Sequence, residues 1–219
     1  MNSQNNKKRF YIHTLGCKVN QYESQAIRES LLNTGLEECS LKEAADIYVL
    51  NTCTVTEKAD KESRYMINSF RRANPEAKIV VTGCYVEKDA KDIAVLPGVS
   101  HIVKNADKAK LADIFASTPT TNSCAPLKIT GFKDHTKVFV KIQDGCENRC
   151  SYCKVPLVRG SLKSRPLNAI LDEVKGLVKN GFKEVVLTGI CLGAWGREYL
   201  PAPTAEAIGM TGAAITDVL

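Results

Sequence analysis

Along the first 115 residues, short apolar runs alternate with segments of helical period. Arg9 to His13 (RFYIH) reads as a buried strand. From Asn20 to Asn33, Tyr22, Ala26, Ile27 and Leu31 fall on one helical face, with Gly35 as the C-cap. The cycle repeats with IYVLN (Ile47 to Asn51) and a charged helix that runs to Asn74 and is stopped by Pro75. It repeats again with KIVVT (Lys78 to Thr82) and a helix up to Pro97-Gly98. A strand near His101 to Val103 and a helix from Asp107 to Phe115 complete the unit. Such alternation predicts an α/β fold with a parallel sheet covered on both faces. Functional groups then gather in the loops leaving the carboxyl ends of the strands.

The pattern breaks at 117–133, which opens with the Ser/Thr/Pro/Asn-rich STPTTNSCAP and reads as a linker. A second strand–helix cycle occupies 134–198. It has a strand from Thr136 to Gln143, a long polar loop, a helix from Asn168 to Lys179 and a strand-like EVVLTG from Glu184 to Gly189. From 199 to 219 the periodicity fades into Ala, Gly and Thr, and this tail is not the start of a third cycle.

Composition narrows the class. The chain has 219 residues, 44% hydrophobic and 25% charged, which fits one large or two modest domains and excludes wholesale disorder. No apolar run approaches the ~18 residues needed to span a bilayer, and Met1 to Arg9 lacks the apolar core of a secretory signal. These features predict a cytoplasmic protein with no membrane partner, whose thiols stay reduced. The chain has nine cysteines, an odd count that full pairing cannot use.

Three cysteines, Cys146, Cys150 and Cys153, lie in GCENRCSYC, a Cys-x3-Cys-x2-Cys run after a predicted strand. They can converge on one metal centre: a zinc knuckle with a borrowed fourth ligand, or an iron–sulfur cubane with one iron left open. Cys17, Cys53 and Cys84 are far apart in sequence, yet each follows a predicted strand, in HTLGC, LNTC and VVTGC. A parallel sheet would bring their loops to one edge. Three inert core cysteines are the alternative, since a buried Cys is often only a small hydrophobe. Cys39, Cys124 and Cys191 have no local partner and are expected to be bystanders, although Cys191 in TGICLG is placed to line a cofactor pocket. Cys39 is expected to end a helical region. His13, His101 and His135 lack ligand spacing, and Asp144 and Glu147 read as solvated loop carboxylates rather than an acid/base pair.

GCENRCSYCKVP resembles the signature of the radical S-adenosylmethionine enzymes. The resemblance implies that Cys146, Cys150 and Cys153 hold a 4Fe-4S cluster whose open iron takes the amine and carboxylate of S-adenosylmethionine. One-electron reduction, from a donor of the flavodoxin or ferredoxin type, then releases a 5′-deoxyadenosyl radical. Tyr152 matches the aromatic that usually stands there, and Tyr152 and Gly189 are the expected cofactor-binding residues. TLGCKVNQYES, LNTCTVTEKADKESR and VVTGCYVEK are similar to the N-terminal domain of the methylthiotransferases. In that family, Cys17, Cys53 and Cys84 would bind a second 4Fe-4S cluster that handles sulfur. Residues 1–116 are then the methylthiotransferase domain, and 134–198 the first part of a radical β/α barrel.

Three branches of the family differ in substrate. TLGCKVNQYES and LTGICLG look most like the branch that adds a methylthio group to C2 of N6-threonylcarbamoyladenosine at position 37 of tRNA. The branches acting on isopentenyladenosine in tRNA and on a ribosomal protein are the alternatives. Arg149, Lys154, Arg159, Lys163 and Arg165 form a run without an acidic residue, which suits phosphates or simple solvation equally. The net charge of +6 does not decide the matter.

A full β/α barrel takes ~250 residues. Only 85 follow Asp134, so the barrel strands that should carry much of the S-adenosylmethionine pocket and the family's RNA-binding β-domain are not accounted for. The expectation is an incomplete copy that binds iron without turning over. A non-catalytic iron–sulfur carrier is the competing class, although a carrier usually gives each cluster four cysteines. A zinc-dependent scaffold is third.

Overall fold

A computed structural model describes residues 7–40, 45–116, 127–133 and 135–199. Most of the expected linker, Cys124 within it, and nearly all of the tail from 199 lie outside these residues. The described chain divides into two units, one up to Lys128 and one from Ile129.

The first unit is a doubly wound α/β sheet. Its strands are β1 (Arg9–Thr14), β2 (Glu37–Glu38), β3 (Ile47–Thr52), β4 (Lys78–Gly83) and β5 (Val99–Val103). They lie in the order β2-β1-β3-β4-β5 and every pairing is parallel. The helices are α1 (Lys18–Asn33), α2 (Glu57–Ala73) and α3 (Cys84–Ala94), followed by a 3₁₀ helix from Asn105 to Ile114 where sequence periodicity predicts a helix over 107–115.

Alternation sends the strand side chains to two cores. On one face Tyr48, Leu50, Ile79 and Val81 pack with Ile67, Phe70, Tyr85 and Ile93. On the other, Phe10, Ile12, Val49 and Val80 pack with Ile27, Leu31 and Leu111. All six residues of β3 are buried, as a central parallel strand requires. Thr56 caps α2, its hydroxyl accepting from the Ala59 N–H, and Asn74 ends that helix before Pro75. The short β2 is not evident in the sequence, and it corrects the expectation for Cys39. That residue follows a strand, not a helix, and its Sγ lies 3.4 Å from Phe10 O.

In the second unit β6 (Lys137–Lys141) pairs in parallel with β9 (Glu184–Thr188). The expected strand to Gln143 is interrupted. Gln143–Asp144 forms β7, which pairs antiparallel with β8 (Lys163–Ser164). Between them lie the cysteine loop and the short α4 (Val155–Arg159), and α5 (Leu167–Lys179) buries Ile170 and Leu177. Among the described residues no helix is long and apolar enough to cross a membrane.

Candidate metal centres

Neighbouring parallel strands deliver the dispersed cysteines to one edge of the first sheet. Cys17 is the N-cap of α1, Cys53 follows β3, and Cys84 opens α3. The order 2-1-3-4-5 reverses between β1 and β3, the point where doubly wound sheets open a crevice. The loops carrying Cys17 and Cys53 flank that point. They touch: a methyl group built on Gly16 would stand 2.9 Å from Cys53 Sγ. The next pair is as close. Gly83 has φ +101°, and a methyl there would lie 2.3 Å from Thr52 O. Thr52 Oγ1 donates to Thr82 O at 2.6 Å and accepts the Tyr85 N–H at 3.2 Å, which ties the Cys84 turn to the Cys53 turn. Cys17 is exposed, whereas Cys53 and Cys84 are buried.

A buried polar network supports this edge. The Asn20 side-chain amide donates to Leu15 O at 2.7 Å and Thr52 O at 2.9 Å, joining the first two loops. Asn51 Nδ2 donates to Asn20 O and Ser24 Oγ, and its Oδ1 accepts from Lys108 Nζ at 3.1 Å. Lys108 also pairs with Glu23, and both residues are at most 2% exposed. Sequence reasoning missed Glu23, Asn51 and Lys108 as parts of the site. Thr54 Oγ1 and Thr82 Oγ1 are buried with no hydrogen-bond partner. Leaving such an atom unsatisfied costs about 1–3 kcal/mol.

Cys146, Cys150 and Cys153 occupy the loop after β7. The Cys146 N–H donates to Gly160 O and the Cys153 N–H to Cys150 O, both at 3.1 Å. Gln143 holds the start of the loop: its amide donates to Asp144 O and Gly145 O, and its Oε1 accepts the Cys191 N–H at 2.7 Å. Gly189 leaves room for Gln143, since a methyl there would sit 2.9 Å from Gln143 Oε1. Tyr152 is 87% exposed.

Asp144 departs from the expectation of a solvated carboxylate. It pairs with Lys141 at 2.6 Å and with the buried Arg159 at 3.2 Å, and its Oδ1 accepts the Gly145 N–H. Low solvent access makes pairing the favourable state for a charge that the sequence alone leaves ambiguous. The basic run shrinks accordingly. Arg159 is committed to Asp144, and Arg165 to Glu173 at 2.6 Å and to Lys141 O. Arg149 and Lys163 remain exposed, and Lys154 is half-buried. Glu147 is exposed and lines, with Cys146, Cys191, Arg197 and Glu198, a cavity of about 130 Å³. That is well below the ~300–1,000 Å³ of a typical small-molecule site.

Among the described residues, no three His, Cys, Asp or Glu side chains stand close enough to hold a single metal ion. Thiolates nevertheless suit zinc or iron–sulfur groups by donor type. The N-terminal set fits such a group in its surroundings too, through the two buried hydroxyls left unpartnered beside Cys53 and Cys84. Burial pushes the thiol pKa of Cys39 up. His135 stacks edge-on against Phe132, and His101 packs on Phe115.

Two family models match the chain. Residues 9–104 match the Uncharacterized protein family UPF0004, and residues 140–191 match the Radical SAM superfamily. Among curated relatives, the threonylcarbamoyladenosine tRNA methylthiotransferase MtaB of Bacillus subtilis is 38% identical over 199 residues, covering 85% of this chain and 44% of that protein. The protein of the same name from Chlamydia pneumoniae is 42% identical over 185 residues, covering 84% and 44%. A tRNA-2-methylthio-N(6)-dimethylallyladenosine synthase from Aquifex aeolicus is 31% identical over 217 residues, covering 91% and 49%. The chain thus spans about half the length of the curated relatives it matches.

Proposed function

We propose that the chain is a radical S-adenosylmethionine methylthiotransferase and that it adds a methylthio group to C2 of N6-threonylcarbamoyladenosine at position 37 of tRNA, in the cytoplasm. The observation that carries this reading is the adjacency of the Cys17, Cys53 and Cys84 loops at one sheet edge. A second three-thiol set gives the chain a place for a group that could hold the sulfur a methylthiotransferase inserts. The choice of substrate follows the relatives: five named for threonylcarbamoyladenosine are 34–42% identical, and three named for dimethylallyladenosine are 31–33% identical.

In this reading Cys146, Cys150 and Cys153 hold one 4Fe-4S cluster, and Cys17, Cys53 and Cys84 hold a second. With S-adenosylmethionine and an electron donor of the flavodoxin or ferredoxin type, these groups supply the radical and sulfur chemistry when bound. The chain's residues do the positioning. Gln143 and Asp144 fix the first cysteine of the C-terminal loop, and the close approach at Gly189 keeps Gln143 in place. Tyr152 and Gly189 are, in this reading, the cofactor-binding residues. Asn20 and Thr52 lock the N-terminal turns together. Arg149, Lys154 and Lys163 are the basic residues left for tRNA phosphates.

The test is nucleoside mass spectrometry on tRNA from a host that lacks its own methylthiotransferases and expresses this protein. The reading expects 2-methylthio-threonylcarbamoyladenosine, lost in a Cys53→Ala variant. Methylthiolated isopentenyladenosine alone would assign the protein to the other tRNA branch. Absence of both products would overturn the proposal.

A further inference from the structure

The unpaired hydroxyls at the first sheet edge stand where a ligand is expected. Thr54 directly follows Cys53, and Thr82 precedes Cys84 by two residues. Both residues are 0% exposed, and neither Oγ1 has a hydrogen-bond partner. Thr82 pairs in register with Asn51, two residues before Cys53. Thr52 provides the contrast, because its hydroxyl is used by the fold, on Thr82 O and the Tyr85 N–H. Valine fills the same volume without oxygen, so packing alone gives no reason for threonine at 54 or 82. Buried hydroxyls are almost always bonded, and their hydrogens rotate to meet an acceptor.

An iron–sulfur group held by the neighbouring cysteines would bring sulfur acceptors to this edge, and hydrogen bonds to cluster sulfurs help set a cluster's reduction potential. We propose that the Thr54 and Thr82 hydroxyls donate hydrogen bonds to sulfur atoms of an iron–sulfur group held by Cys17, Cys53 and Cys84, and thereby raise its reduction potential. This rests on the cluster assignment made above and adds to it the residues that tune the cluster. Buried water bonded to the same hydroxyls is the competing occupant.

The experiment uses the full chain with Cys146, Cys150 and Cys153 replaced by alanine, reconstituted anaerobically with iron and sulfide. The midpoint potential of the remaining cluster is measured by redox titration followed by electron paramagnetic resonance. Thr54→Val and Thr82→Val are each expected to shift it to more negative values, and Thr54→Ser to restore it. The unfolding midpoint of the metal-free protein should be unchanged or higher in both valine variants, since no bond of the fold itself is lost. An unchanged potential in both would overturn the proposal and assign the hydroxyls to water. A lower metal-free unfolding midpoint in both would overturn it too, by showing that the hydroxyls have partners within the fold. If the parent holds no reducible cluster, the proposal and the cluster assignment fall together.

Discussion

Gly83 carries the tightest steric demand at the N-terminal cysteine edge, and a single methyl group tests it. Its φ of +101° is one that side chains rarely adopt, and the nearest atom to an added Cβ is a backbone oxygen that cannot swing away. Gly83→Ala should therefore cost at least about 2 kcal/mol and lower iron retention at the Cys84 turn. Thermal unfolding of the metal-free protein and iron release to a chelator measure the two effects. His101 gives the pH dependence. Burial first, and Lys78 second, lower its pKa from the ordinary value of about 6.5. The unfolded chain then takes up the proton before the folded one, so this contribution is complete above about pH 6.5 and is lost as pH falls towards the folded value. His101→Gln should flatten that part of the acid limb in urea unfolding measured from about pH 7.5 to pH 5.5.

At the scale of elements, polar ties hold the cysteine loops, and these ties were the least legible part of the sequence. The strand–helix alternation placed Cys17, Cys53 and Cys84 at strand ends, because parallel sheets have a single carboxyl edge. Nothing comparable marks Glu23 and Lys108, which are 85 residues apart and belong to no motif. Only the packing of α1 and the 3₁₀ helix on the same sheet face turns them into a buried pair. Asp144 was misread for the same reason, since its partner Arg159 is reached only when the loop closes through β7 and β8. Two measurements follow. Lys108→Met should destabilise by about 3–5 kcal/mol because it strands the Glu23 carboxylate, whereas Glu23→Gln with Lys108→Met should recover most of that loss. Far-UV circular dichroism in urea reads both. Asp144→Ala should cost about 1.5–3 kcal/mol, read by the fluorescence of Trp195, the chain's one tryptophan, whose indole N–H donates to Arg165 O.

At the scale of the molecule, six of the nine cysteines fall in two groups of three, one in each unit. Both assignments depend on cluster assembly, so that is the property to measure on this chain. Iron and sulfide counting after anaerobic reconstitution does so most directly. Two clusters require about eight irons and eight sulfides per chain, falling to about four of each when Cys17, Cys53 and Cys84 are replaced by serine, and likewise when Cys146, Cys150 and Cys153 are replaced. An iron content left unchanged by the Cys17, Cys53 and Cys84 replacement, or zinc bound without sulfide, would contradict the two-cluster assignment.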